Sequence, residues 1–327
     1  MQSPVKTFFK LSLLTAIIAL SLFVAYRHED VIDWWLLRGY TPAPAVEALA
    51  EDTTMTDRAR RYFYVYDPQL LDRDNFWQQC TVAEASIVLG CYVSRQGMYI
   101  YNVTDEQLSG IRQVTAAHEM LHVAYERLSK SERERIDELT GEVFESLANE
   151  RVQKTVETYA RRDPSVVPNE LHSILPTEIR DLPEELEQYY AQYFTDRLQV
   201  VEHSERYASV FEAARERVEE LDQHLRNRRE EISGLQDNLQ SQARSLESQR
   251  AELSRLLANN DTNAYNVLVP EFNTAVRNYN DEVTRLGQLI DSYNRLVSQR
   301  NNAALAQEQL VESIDSRPDI IELRDSE

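Results

Sequence analysis

The sequence predicts an α+β chain that is mostly helical, in which a small mixed unit is followed by a long antiparallel α-helical coiled-coil hairpin. Three observations carry this expectation. Glycine is scarce, at 7 of 327 residues, while charged residues make up 28%, a balance that suits long helices better than a turn-rich β fold. A seven-residue apolar recurrence runs through most of the second half. Upstream, the β-prone stretch Gly97–Val103 lies just ahead of a short apolar motif carrying two histidines. The formal net charge of -20 excludes nucleic acid as a partner, because no clustered excess of Lys and Arg is available to meet a phosphate backbone.

From the N-terminus, Leu11 to Tyr26 is an uncharged apolar run, and Phe8 and Phe9 extend it past Lys10. It is near the lower length limit for a membrane-spanning helix, so residues 7–27 are expected to form a signal-anchor. A cleaved signal peptide is the competing reading, disfavoured because bulky Val24 and Tyr26 occupy the place of a small-residue cleavage site. Lys6 and Lys10 precede the run and Glu29, Asp30 and Asp33 follow it. The positive-inside bias then predicts a single-pass protein with residues 1–6 cytoplasmic and the rest outside, in a bacterial-type cell envelope. Residues 28–60 read as a juxtamembrane linker, in which Trp34, Trp35 and Tyr40 suit either an interfacial belt or packing onto the next domain. Cys80 and Cys91 are the only cysteines, and in an exported chain they are expected to form a disulfide.

The chemistry concentrates in Val114–Tyr125, VTAAHEMLHVAY. His118 and His122 are four apart, so on a helix they share a face and can chelate one ion. Glu119 lies beside that face, where a carboxylate can take a proton from a zinc-activated water. The neighbours Thr115, Ala116, Met120, Leu121, Val123 and Ala124 are all uncharged, as a helix inside a low-dielectric core requires.

At residues 115–124 the chain resembles the zincin superfamily of zinc metallopeptidases, whose extended HExxH motif these residues satisfy at every position. The resemblance implies that His118 and His122 bind Zn2+ and that Glu119 is the general base in peptide-bond hydrolysis of a peptide or protein substrate. It also implies a small twisted sheet against the active-site helix, with a strand near Gly97–Val103 pairing with extended substrate. Catalytic zinc usually takes three protein ligands. Residues 125–128 read YERL, which excludes the metzincin continuation. Asn169-Glu170-Leu171-His172-Ser173 resembles the Asn-Glu-x-x-Ser helix of gluzincins, making Glu170 the first choice for third ligand and Glu178 the alternative. Ile174 departs from the pattern, since many gluzincins carry there an Asp that orients a zinc histidine. His172 is a candidate oxyanion donor, as is one of Tyr189, Tyr190 and Tyr193. The whole arrangement resembles bacterial membrane-anchored zincin-like proteins, with the metallopeptidase domain at residues 61–200.

From about Glu202 the pattern changes. Phe211, Val218, Leu225, Ile232, Leu239, Leu246 and Leu253 recur every seven residues, with Tyr207, Ala214, Leu221, Leu235 and Leu256 interleaved. Arg228, Gln242 and Gln249 interrupt the series. A turn is expected at Ala258–Asn263, with Pro270 restarting a helix that presents Phe272, Val276, Tyr279, Val283, Leu286, Ile290, Tyr293, Val297, Ala304 and Val311; Arg300 and Gln307 are its polar breaks. Residues 201–315 should therefore fold back as a hairpin of arms about 65–80 Å long, leaving 316–327 as an acidic tail. Such a hairpin can bind a partner or self-associate. The competing functional reading is a non-catalytic envelope scaffold whose zinc site is structural or vestigial.

Overall fold

A computed structural model describes residues 28–80, 87–94 and 96–317. Helices account for 77% of the structure, which contains one small three-stranded sheet. In chain order the elements are α1 (His28–Leu36), α2 (Pro44–Asp52), α3 (Asp57–Tyr64), β1 (Gln69–Leu71), α4 (Arg73–Gln79), β2 (Gly90–Val93), β3 (Gly97–Tyr101), α5 (Ile111–Glu126), α6 (Lys130–Ser146), α7 (Glu150–Arg162), α8 (Val167–Glu178), α9 (Glu184–Tyr190), α10 (Arg197–Ala258) and α11 (Thr262–Ile314). The chain divides into two compact units, one running to Ser209 and resuming at Ser313, the other Val210–Glu312.

In the first unit β3 is the central strand. It pairs in parallel with β1 and antiparallel with β2, and all five of its residues are buried. With both edges occupied, β3 has no backbone groups left for an extended substrate, so the expectation that Gly97–Val103 would pair with one is corrected. The edge strands beside it are β1 and β2. Helix α5 runs through the core, with Val114, Ala116, Ala117, Met120, Leu121 and Ala124 packed among Met98 and Ile100 of β3. Its start depends on Gly110, whose φ of 107° is left-handed and whose missing Cβ would meet the His203 carbonyl oxygen at 2.7 Å. Only glycine tolerates both.

Three local devices place the helix that faces α5. Ser129 and Glu132 form a capping box that starts α6, and Asn149 accepts from the Val152 N–H to start α7. Helix α8 then packs on α5, α6 and α7. Its last carbonyls are gathered by the buried Arg197, which donates to Pro176, Ile179 and Arg180 at 2.9, 2.7 and 2.7 Å. A guanidinium satisfies several orphaned helix-end acceptors at once.

Several expectations need correction here. Among the described residues no helix is long and apolar enough to cross a membrane, which overturns the reading of a single-pass membrane protein. The segment 7–27 on which that reading rested lies outside the described residues. Residues 28–60 are not a linker: Val46, Leu49, Ala50, Met55 and Ala59 belong to the main core. Asp33 is also buried, and it grips Arg127 at 2.5 and 3.0 Å. Trp34 and Trp35 stay 64% and 68% exposed, so neither packs onto the domain. Ser316, assigned to the acidic tail, is buried and donates to the Val88 carbonyl at 2.7 Å; residues 318–327 lie outside the description. The Cys80–Cys91 disulfide is present.

In the second unit α10 and α11 form a long helical hairpin turning at Asn259–Asp261. Pro270 does not start the second helix, which begins at Thr262 and runs through it. The polar interruptions in the heptads set the register. Glu282 accepts from Asn238 and Gln242 at 2.9 and 2.7 Å, Arg285 meets Glu231 at 3.2 Å, and Arg300 meets Asp222 at 3.0 Å. Partners move toward the turn together on both arms, as an antiparallel pair requires.

The Asp33–Arg127 pair yields a test. Asp33→Ala strands a buried guanidinium and is expected to lower unfolding free energy by about 3–5 kcal/mol in urea denaturation. Asp33→Leu combined with Arg127→Met should recover most of that loss.

Candidate metal centre

His118, Glu119 and His122 present ligand atoms that all lie within 4.8 Å of one another. The helical spacing of four brings the imidazoles together, with ring centroids 4.7 Å apart. Glu170, from the first turn of α8, closes the group. Its Oε2 lies 3.5 Å from His118 Nε2 and its Oε1 lies 3.9 Å from His122 Nε2. These contacts are long for hydrogen bonds, and Glu170 Oε2 is buried without a hydrogen-bond partner. Donors held about 2.0–2.1 Å from a tetrahedral zinc are separated by about 3.4 Å. Two imidazole nitrogens and an orphaned carboxylate oxygen near that spacing fit a metal ion.

The orientation of His122 is controlled from behind. Its Nδ1 lies 3.0 Å from Asn169 Oδ1 and 3.3 Å from Ser173 Oγ. An amide oxygen only accepts, so Nδ1 carries the proton and Nε2 is the nitrogen that faces Glu170. Ile174, the departure from the Asn-Glu-x-x-Ser pattern, is buried in the apolar cluster with Val152 and Val156, and the partners of His122 come from Asn169 and Ser173 instead.

Glu119 is 4% exposed. Burial pushes its carboxyl up to about 7, and the charge of Glu170 adds to this while His122 and the Tyr92 N–H oppose it. Its housing depends on Gly90 of β2. A Cβ there would meet Thr115 Cγ2 at 2.5 Å and Glu119 Oε1 at 2.6 Å, so the bare backbone of the edge strand lies directly against the carboxylate. Burial also favours a neutral Glu170, but the contact from His118 and the charges of both imidazoles outweigh it and hold that carboxyl below its usual range. The two acids therefore differ: Glu170 stays ionised against the histidines while Glu119 is poised near neutrality.

A cavity of about 130 Å³ reaches His118 and Glu119 of this group, while His122 and Glu170 do not line it. Val88, Leu89 and Gly90 form one wall, and His118 and Glu119 lie at its base. Thr155, Tyr159, Glu178 and Tyr207 stand on other sides. Glu178, the alternative third ligand, is ion-paired with Arg151 and is occupied there. His172 does not line the cavity. It is fully buried, its Nε2 bonds the Tyr189 hydroxyl at 2.8 Å, and burial drives its pKa down to about 3. Tyr190 donates to the His172 carbonyl at 3.0 Å, and Tyr189 and Tyr193 border a different cavity, beside Arg58 and Arg127. All four candidate oxyanion donors therefore stand away from the opening.

Two tyrosines line the cavity, Tyr207 and, from α7, Tyr159; the second stands in the field of both acids. Burial, then the charges of Glu170 and Glu119, raise its hydroxyl far above the ordinary range, so it is a proton-bearing donor at any working pH. No motif marks Tyr159 in the sequence, and Gly90 is signalled only by the rarity of glycine in this chain. No family model, curated protein or solved structure matches the chain.

Gly90→Ala is expected to cost about 1–3 kcal/mol by overpacking, read as a lower midpoint in thermal denaturation. Gly141→Ala, with nothing within 4 Å of the added methyl, should cost nothing.

Proposed function

We propose that the protein is a zinc-dependent metallopeptidase, with His118, His122 and Glu170 as metal ligands and Glu119 as general base. The observation that carries the reading is the division of labour between two buried carboxylates. Glu170 approaches both imidazoles with an unsatisfied oxygen, while Glu119 sits beside them, raised to about 7. A purely structural metal site has no use for the second. The extended HExxH resemblance at residues 115–124 supports the same reading, and the pairing of Glu178 with Arg151 argues for Glu170 over the alternative ligand.

A zinc ion bound there would supply a Lewis acid to polarise the scissile carbonyl and acidify the attacking water. The chain's own residues supply the rest. Glu119 takes the proton of the attacking water and passes it to the leaving amine, and a pKa near neutrality suits both transfers. Asn169 fixes the tautomer of His122 through its Nδ1–H. Tyr159, a neighbour of Glu170 that lines the cavity with Tyr207, is the hydroxyl assigned to the oxyanion that develops at the attacked carbonyl. The wall at Val88–Gly90, held against Glu119, excludes water on one side.

Elemental analysis of the full chain is expected to find about one zinc per molecule, lost in His122→Ala and Glu170→Ala and kept in Glu178→Ala. Glu119→Gln should retain the zinc and lose peptide hydrolysis by a factor of at least about 100, measured on a fluorogenic peptide library. Absence of zinc from folded protein defeats the proposal. Zinc with no hydrolysis that depends on Glu119 favours the scaffold with a structural site. Tyr159→Phe should lower turnover by about 100-fold with KM and zinc content little changed; an unchanged rate would remove Tyr159 from the chemistry.

A further inference from the structure

The outer flank of α11 carries an apolar stripe that the hairpin buries only in part. In α11 the residues turned toward α10 include Leu289 and Leu310, 8% and 7% exposed, with Glu282 making the cross-helix bonds. Tyr279, Leu286 and Tyr293 lie one position further round, and Val276, Val283, Ile290, Val297, Ala304 and Val311 the position beyond them. The heptad pattern of the sequence placed them in the hairpin seam. Instead Val283, Ile290 and Val311 remain 43%, 38% and 41% exposed, and the other three are half-buried. All six are aliphatic and all fall at seven-residue intervals. A helix that is apolar at three adjacent heptad positions is patterned for more than one neighbour, whereas a two-helix seam needs only two of them.

The next position round is also informative. It holds Asn280, Gly287, Asn294 and Asn301, all uncharged, in a chain of net charge -20 with 28% charged residues. An ordinary solvated flank of such a chain would carry acids and arginines, as the opposite face does at Asp281 and Arg295. The strip that is free of charge runs from Val276 to Ala304, about 40 Å of helix, and Glu308 ends it.

We propose that this flank is a self-association surface on which a second copy of the chain docks through the same stripe, joining two hairpins into a four-helix bundle. A second copy is favoured because a two-fold axis sets an uncharged aliphatic strip on itself without placing like charges opposite one another, which the acidity of this chain would otherwise impose. The proposal concerns the hairpin alone and stands or falls independently of the metal site.

Asn294 lies at the middle of the stripe, so its symmetry mate is nearby whichever way the two helices run. The only native cysteines are tied up in the Cys80–Cys91 disulfide, so one introduced thiol reports cleanly. Light scattering on the full chain is expected to give the dimer mass at tens of micromolar. Under mild oxidation Asn294→Cys should form a covalent dimer, and Arg295→Cys, one residue on but on the opposite face, should not. Val283→Glu with Ile290→Glu should weaken association on the order of 100-fold with unchanged helical ellipticity; the matching double Gln variant should do so more weakly. A monomeric wild type overturns the proposal. So does a dimer that survives both double variants, or one that cross-links equally through either cysteine, since association would then run through another surface. A monomer that binds a different protein through the stripe would likewise overturn self-association.

Discussion

Everything around the candidate centre follows from one constraint, the placement of a carboxylate inside a core helix. Glu119 projects from α5 at a point where the neighbouring turns are Ala, Met, Leu and Val, so solvent does not stabilise its charge and His122 offsets the burial only in part. The cost of burying such a group is large, and the fold answers with geometry instead of a counter-ion. Gly90 brings bare strand backbone against the carboxylate, the Tyr92 N–H faces it, and His122 lies one turn away. What remains is a carboxyl raised toward neutrality. Stability is given up locally to create a group able to exchange protons at ordinary pH.

Helix α8 completes the arrangement through a short polar face. Asn169, Glu170 and Ser173 occupy positions on one side of its first turns and all address the histidines of α5. Leu171, Ile174 and Leu175 hold the other side in the apolar clusters. The approach of this helix is set at its far end, where the Arg197 guanidinium collects three carbonyls. A buried arginine far in sequence from the centre thus fixes how closely Glu170 can come to the imidazoles. Tyr159 enters by the same logic, because α7 packs its Val152 and Val156 against α8 and carries the tyrosine toward the cavity.

The hairpin shows how polar residues give a coiled coil its register. An all-aliphatic seam of two long helices can slide by a heptad at little cost. Here Glu282 answers Asn238 and Gln242, and Arg300 answers Asp222. A slip by one heptad would leave all of these without partners. The same specification turns the Val276–Val311 series to the flank, because seating Glu282 at the seam commits the helix to one rotation about its axis.

Much of this protein was legible without coordinates. Periodicity determines the two long helices, since an apolar residue every seven positions has no other low-energy use. Local chemistry determines the His118/Glu119/His122 group, because a spacing of four and an uncharged setting are properties of the chain itself, and Asn169-Glu170 was visible as a motif. Other features were not legible. Residues 28–60 look like a linker until the core that needs Val46, Leu49 and Met55 exists around them. A central and an edge strand have the same composition, so the burial of β3 between β1 and β2 could only be decided by pairing. The Asn-Glu-x-x-Ser pattern put Glu170 ahead of Glu178 on paper, but the Arg151 partner of Glu178 is one that only packing brings near. Tyr159 and Gly90 matter because of what lies within a few ångströms of them across the fold, and a one-dimensional pattern carries no record of such distances.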